Sequence, residues 1–320
     1  MKMRSKKICK PSYNFALLMI LLMLIVVIYL INNHFLDYTY ISNVVIKNII
    51  EMGLMALAVT LIVVTGGIDL SVGSIMILSA MAGGMVVVKV GGILGVLVAI
   101  IIGALCGLVN GLVIVKLKLS ALVTTLSTMF LFRGIAKGMS AGESVYSYPI
   151  TDFIGNTEIF GLQLSMLVYI VAAIILTLLL SKTITGRTLY AIGLNENAAK
   201  FSGLKVEKVL VSMYVLSGFI CALAGFMYLG RFTSIKFDVA NKMNLQVVTI
   251  IVLGGTSITG GIGDMRGTII ATFIIAVLNS GLTVMNIPID VQTIINGAVL
   301  AISLIVYAIL NKHRFHAKEN

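Results

Sequence analysis

Apolar residues in this chain come in long, nearly unbroken runs. They occupy positions 15–31, 44–64, 71–88, 93–115, 119–136, 164–180, 209–229, 245–259, 268–285 and 291–310. A bilayer hydrocarbon core is about 30 Å thick, so a crossing helix needs about 20 apolar residues. In lipid every backbone N–H and C=O must be paired within the protein, which a helix does locally. The pattern predicts an all-α polytopic membrane protein with about ten transmembrane helices, some of them glycine-broken. An even count places both termini on the same side, the cytoplasm. Only two polar segments are long, 138–163 and 181–208. Neither is long enough to fold an appended soluble enzyme domain.

Composition points the same way. Of 320 residues, 59% are hydrophobic and 11% charged, whereas soluble domains run at about 45–50% and 25%. In a soluble protein the net charge of +11 would suggest nucleic acid. Here basic residues flank the spans, where they set orientation, so no nucleic-acid partner is expected. A cytoplasmic N-terminus puts sixteen of the 23 Lys and Arg on the inner side, including Lys2, Arg4, Lys6, Lys7 and Lys10. It leaves Arg231, Lys236 and Lys242 as an external cluster that fits poorly. The external segment 138–163 holds Glu143, Asp152 and Glu158 and no base. The first run follows a basic head, as a signal peptide would. No small-x-small cleavage site follows it, so it is expected to be retained. The expected organisation is a basic cytoplasmic tail 1–14, one permeation domain 15–310 and a cytoplasmic tail 311–320. Cys9, Cys106 and Cys221 have no CxxC spacing. Trp is absent, so interfacial aromatic anchoring falls to Tyr.

Two segments have unusual chemistry for a membrane interior. One is VTGGIDLSVGS at 64–74, the other VLGGTSITGGIGD at 252–264. A double glycine lets a helix unwind or two backbones approach. Irregular backbone at membrane depth survives only where protein buries it or water reaches it. Thr65, Gly66, Gly67, Asp69 and Ser71, with Gly254, Gly255, Thr256, Ser257, Thr259, Gly260 and Gly261, are therefore candidates for a polar path or its gate. Asp69 and Ser71 are placed to cap a half-helix starting near Val72. Asp69 reads either as that cap, at the cytoplasmic mouth, or as a charged gate element paired with a base. Glu51, inside the second run, is an intramembrane acid and a functional suspect, although it lies close enough to the outer end to snorkel. Asn110 and Asn279 read as interhelical hydrogen-bonding groups, and Arg133 as interfacial. His34, His313 and His316 have no metal-ligand spacing within a span, and no metal site is expected. There is no GxxxxGK[ST], HExxH or GxSxG motif. The chain is not expected to be an enzyme or to bind a cofactor itself.

The segment 181–208 reads SKTITGRTLYAIGLNENAAKFSGLKVEK. Asn195 is placed to cap a short helix and Gly203 to end it. A long connection with two small helices suggests a docking surface.

TGGIDLSVGS, TGRTLYAIGLNENAAKFSG and VLGGTSITGGIGDMRGT occur in this order along the chain. Together they resemble the membrane permeases of bacterial ABC sugar importers, the family of ribose, xylose, rhamnose and autoinducer-2 permeases. The resemblance runs from the second span to the end. It implies a multi-pass permease in the bacterial inner membrane, paired with a second copy or a sister permease. It also implies an extracytoplasmic sugar-binding protein, and a separate ABC ATPase subunit that holds ATP and Mg. In that family the middle motif is the ATPase-coupling surface, which here means Gly186, Arg187, Gly193, Asn195, Glu196, Ala198 and Gly203. Many members carry Glu-Leu before the last motif; this chain has Asn244-Leu245, and Thr249 where alanine is common. That departure bears on the sugar and points away from ribose itself. The competing readings are an ion-coupled carrier using Glu51 and Asp69, and a non-transport scaffold.

Overall fold

The computed structural model describes residues 13–315 apart from Phe160 and Lys242. Lys2, Arg4, Lys6, Lys7, Cys9, Lys10, Lys242, His316 and Lys318 lie outside the described residues. The chain opens with α1 (Tyr13–Ile31), a 3-10 turn (Asn33–Leu36) and α2 (Tyr38–Tyr40). A π-helical turn (Ile41–Val45) then leads into α3 (Ile46–Val64). Next come α4 (Val72–Val90), α5 (Gly92–Lys116), α6 (Ala121–Met139), β1 (Val145–Tyr146) and α7 (Pro149–Asn156). A hairpin of β2 (Glu158–Ile159) and β3 (Leu162–Gln163) precedes α8 (Leu164–Lys182), α9 (Ile184–Leu194), α10 (Glu196–Phe201) and α11 (Val206–Arg231). The chain closes with β4 (Ser234–Ile235), α12 (Met243–Leu253), α13 (Met265–Val284) and α14 (Ile289–Phe315).

Each apolar run holds a helix. Seven helices, namely α1, α3, α4, α5, α8, α11 and α13, are long and apolar enough to cross a membrane. The eighth run, read as a span over 245–259, is helical only to Leu253 and irregular from Gly254 to Asp264. α12 is consequently a shorter apolar helix. The tail boundaries also shift. Tyr13 and Asn14 already belong to α1, and α14 continues past 310 to Phe315.

Packing places α3 at the centre, with every residue from Ile49 to Val64 buried. α1 has only Leu17 and Ile28 buried and offers most of its apolar surface outward, as lipid permits. α11 runs along α5, α4 and α3. Its crossing with α5 rests on small residues one turn apart. A Cβ on Gly103 would strike the Gly218 carbonyl, and one on Gly107 the Tyr214 carbonyl. Without a hydrophobic driving force between helices in lipid, close backbone approach of this kind supplies the contact energy. Asn296 Nδ2 donates to Asn279 Oδ1 at 2.8 Å, joining α14 to α13.

At the end of the bundle where α3 begins, the loop after α6 pairs with the loop after α11. β1 and β4 are antiparallel, with Val145 opposite Ile235. Pro149 starts α7, and Thr151 Oγ1 accepts from the Tyr148 amide at 2.7 Å, fixing its first turn. α7 then lies against the end of α11, where Asn156 Nδ2 donates to the Gly230 carbonyl at 2.9 Å. This arrangement corrects two expectations. Arg231 is not an external loop charge, and Glu51 does not snorkel: Arg231 Nη1 donates to Glu51 Oε1 at 2.8 Å with both side chains buried. The pair explains why a base closes the apolar run of α11 and why an acid interrupts α3.

Removing one member of a buried pair strands the other charge, at a cost of about 3–5 kcal/mol. Arg231→Met should therefore lower the unfolding temperature in detergent sharply, and adding Glu51→Met should restore most of it. An Arg231→Met protein that melts with its parent would contradict this role for the pair.

Candidate functional site

The first break begins where α3 ends. The Gly66 amide donates to the Val63 carbonyl at 2.9 Å and Gly67 to Ile62 at 3.2 Å. Gly66 reverses the chain at φ +85°, a left-handed conformation that a Cβ disfavours. The chain stays irregular through Ser71, and α4 begins at Val72. Asp69 Oδ1 accepts from the Ser71 amide at 2.9 Å and the Ser71 hydroxyl at 2.6 Å. Ser71 Oγ in turn accepts from Asn110 Nδ2 of α5 at 2.8 Å. Ser71 therefore makes no side-chain cap on α4. That service comes from α12, where Asn244 Oδ1 accepts from the Gly73 amide at 3.0 Å. Thr125 of α6 donates to the Ile68 carbonyl at 3.1 Å.

Asp69 is fully buried and makes no ion pair among the described residues. It lies near Asn110 and Tyr214, six residues inside the end of α5 and eight inside the start of α11. At 1.5 Å per residue that depth is roughly 9–12 Å. Protein closes over the carboxylate there, and the bond it accepts from the Ser71 amide is one the cap reading expects.

The second break is tied down as thoroughly. Gly255, at φ +84°, lies against the Tyr13 ring, whose hydroxyl donates to the Leu253 carbonyl at 2.7 Å. The Ser257 amide donates to the Ile262 carbonyl at 2.9 Å, and Ser257 and Thr259 share a hydroxyl contact of 2.8 Å. Asp264 Oδ1 accepts from the Arg266 amide at 3.0 Å, capping α13, and its Oδ2 accepts from Asn14 Nδ2 at 2.6 Å. A Cβ on Gly254 would crowd Gly267 and Thr268, so α12 and α13 abut there. Thr256 and Ser257 are buried in this packing.

The two breaks meet. The Gly261 amide donates to the Val64 carbonyl at 2.8 Å, so the last turn of α3 is completed by the second break. A Cβ on Gly260 would lie 2.7 Å from the Gly66 nitrogen. Gly193 of α9 enters the same point, where a Cβ would strike the Val64 carbonyl and the Gly261 amide. Tyr190, one turn earlier, donates to the Gly263 carbonyl at 2.7 Å. The segment 181–208 is therefore fastened to both breaks by backbone contact.

Its other face is free. Asn195 Oδ1 accepts from the Ala198 amide at 2.9 Å and opens α10. The helix ends in a Schellman motif, with Gly203 at φ +80°, its amide on Lys200 and the Leu204 amide on Ala199. Gly186 is buried against the Leu179 and Leu180 carbonyls. Arg187, Leu194, Glu196 and Ala198 are exposed, and Phe201 is 92% exposed. Glu196 and Lys200 pair at 2.6 Å, and that hydrogen bond raises the Lys200 ammonium above its ordinary range. A cavity of about 450 Å³ lies between this segment and the first break, walled by Thr65, Gly66, Gly67, Lys118, Glu196 and Tyr214. The sequence does not mark Tyr214, Tyr190 or Asn14 as site residues, and it marks Asn244 only as a departure from the family's Glu-Leu pair, not as a partner of α4. Their roles depend on contacts between distant runs, and only Tyr190 sits inside a quoted motif.

Such a site belongs to a multi-pass helical membrane protein whose irregular interior backbone is bolted to a polar two-helix segment. Residues 40–304 match the family described as branched-chain amino acid transport system / permease component, and the chain belongs to that permease family. It is 38% identical over 281 residues to the ribose import permease protein RbsC of Bacillus subtilis (strain 168), covering 87% of each chain. It is 32% identical over 284 residues to the autoinducer 2 import system permease protein LsrD of Escherichia coli (strain K12), covering 85% of each. No solved structure matches the chain.

Two outcomes follow from this geometry. Gly193→Val should cost about 1–3 kcal/mol through overpacking and speed amide exchange in both α9 and residues 255–261. Exchange that quickens in α9 alone would contradict the shared junction. Asp69→Ala strands the Ser71 amide and hydroxyl, a loss of about 1–3 kcal/mol, whereas Asp69→Asn keeps an acceptor there. Thermal melts in detergent should rank the parent and Asn together and Ala below; equal melts for Asn and Ala would refute it.

Proposed function

We propose that this chain is the translocating subunit of an ATP-binding-cassette importer that carries a monosaccharide delivered by an extracytoplasmic binding protein. The carrying observation is the contact of segment 181–208 with both glycine breaks at Gly193. A partner gripping the exposed face of that segment reaches the interior backbone through atoms in direct contact. On this reading all ten apolar helices cross the membrane and both termini are cytoplasmic. A second permease copy or sister subunit completes the path. ATP and Mg sit on a separate ATPase that docks on Arg187, Asn195, Glu196, Ala198 and the exposed Phe201 ring. The path or gate comprises Thr65, Gly66, Gly67, Asp69 and Ser71 with Gly254, Gly255, Thr256, Ser257, Gly260 and Gly261. The two import permeases to which the chain is similar support a sugar or sugar-like cargo. An ion-coupled carrier would need Glu51 and Asp69 to exchange protons or cations; Glu51 is held by Arg231, and Asp69 Oδ1 is taken by the Ser71 amide and hydroxyl.

Reconstituted with its ATPase and binding protein, the chain should import a monosaccharide only with ATP and continue after the proton gradient is collapsed. Glu196→Arg and Phe201→Ala should leave the melting temperature within a degree or two, yet uncouple hydrolysis from uptake. Import that follows the proton gradient, or coupling that survives both substitutions, would overturn the proposal.

A further inference from the structure

A second surface feature has no place in the transport reading. Near the end of the bundle that carries α9 and α10, α5 and α11 leave a groove of about 570 Å³ on their shared flank. Its floor follows from the glycine crossing: Gly111 brings α5 within reach of the Val211 backbone, a Cβ there lying 3.0 Å from Val211 Cα. One wall is Leu112 and Val115; the other is Val211, Ser212 and Val215. These residues recur at three- and four-residue spacings, so each set forms one stripe of its helix. Lys116 extends the first stripe and Lys208 the second, both at the polar end and both exposed. Lys116 is partly engaged by Glu207, at 3.2 Å, and Lys208 has no ion pair among the described residues.

We propose that this groove binds one anionic phospholipid, its acyl chains along the valine and leucine stripes and its phosphate between Lys116 and Lys208. The apolar walls continue the exposed apolar surface of α5, and the two ammonium groups stand where those walls give way to polar residues. Basic pockets between transmembrane helices select anionic headgroups on these grounds. The Ser212 hydroxyl also lines the groove but donates its hydrogen to the Val209 carbonyl at 2.7 Å, so the two lysines alone supply the headgroup contact. Glu207 opposes the binding by competing for Lys116. The orientation proposed above assigns the lipid to the inner leaflet, but binding itself does not depend on transport. Because α11 also carries Tyr214 beside the first break, the lipid braces the helix pair that encloses Asp69.

The test uses the full chain in a neutral detergent, with native mass spectrometry and thermal melts. Phosphatidylglycerol should be retained and should raise the melting temperature by several degrees, whereas phosphatidylcholine and free glycerol phosphate should do neither. Lys116→Gln with Lys208→Gln should abolish the phosphatidylglycerol effect while melting with the parent in detergent alone. Glu207→Gln should increase lipid retention, the opposite sign to a general loss of folding. Equal retention of the two lipids by the parent, or unchanged phosphatidylglycerol retention by the double variant, would overturn the proposal. A double variant that retains the lipid but loses its ATPase would instead assign this face to a protein partner.

Discussion

Backbone that leaves a helix at membrane depth must find partners for each freed amide and carbonyl, because lipid offers none. This protein meets that demand by making its two breaks complete one another. The Val64 carbonyl, orphaned by the end of α3, is taken by the Gly261 amide of the second break. The Gly73 amide near the start of α4 is taken by Asn244 on α12. The Ile68 carbonyl is taken by Thr125 on α6. Neither break is self-sufficient, and the surrounding helices are held in position by what the breaks require of them.

The segment 181–208 touches both breaks at one point. Where α9 meets the breaks, backbone lies directly on backbone, Gly193 against Val64 and Gly261, with the Leu194 side chain packed over Gly261. A flexible side chain at such a point would absorb a displacement by changing rotamer; backbone in contact with backbone passes it on. Tyr190 adds a directional hydrogen bond to Gly263 one turn away. The joint links the exposed face of this segment with the irregular core of the bundle.

The two ends of the molecule treat charge differently. At one end Glu51 and Arg231 neutralise each other in the interior, locking α3 to α11 beneath α7. At the other, Lys116, Glu207, Glu196 and Lys200 form exposed pairs, which solvent screens and which hold little together. The first end is closed by a buried pair and loop strands, and the second carries the two short helices, the cavity and the groove between α5 and α11.

The sequence by itself determined where the helices lie, because an apolar run long enough to cross lipid can pair its own backbone in hardly any other way. It also determined the local stops and starts: Asn195 and Gly203 bracket α10 through bonds spanning only a few residues, and the double glycines end α3 and α12. Tertiary structure alone decided which of these features meet. That Glu51 faces Arg231 and that Asn244 serves α4 are contacts across 180 and 171 residues of chain. No local pattern encodes them. In lipid, apolar runs are nearly interchangeable by hydrophobicity, so the choice of neighbours rests on small residues and single polar pairs that acquire meaning only once the helices are side by side.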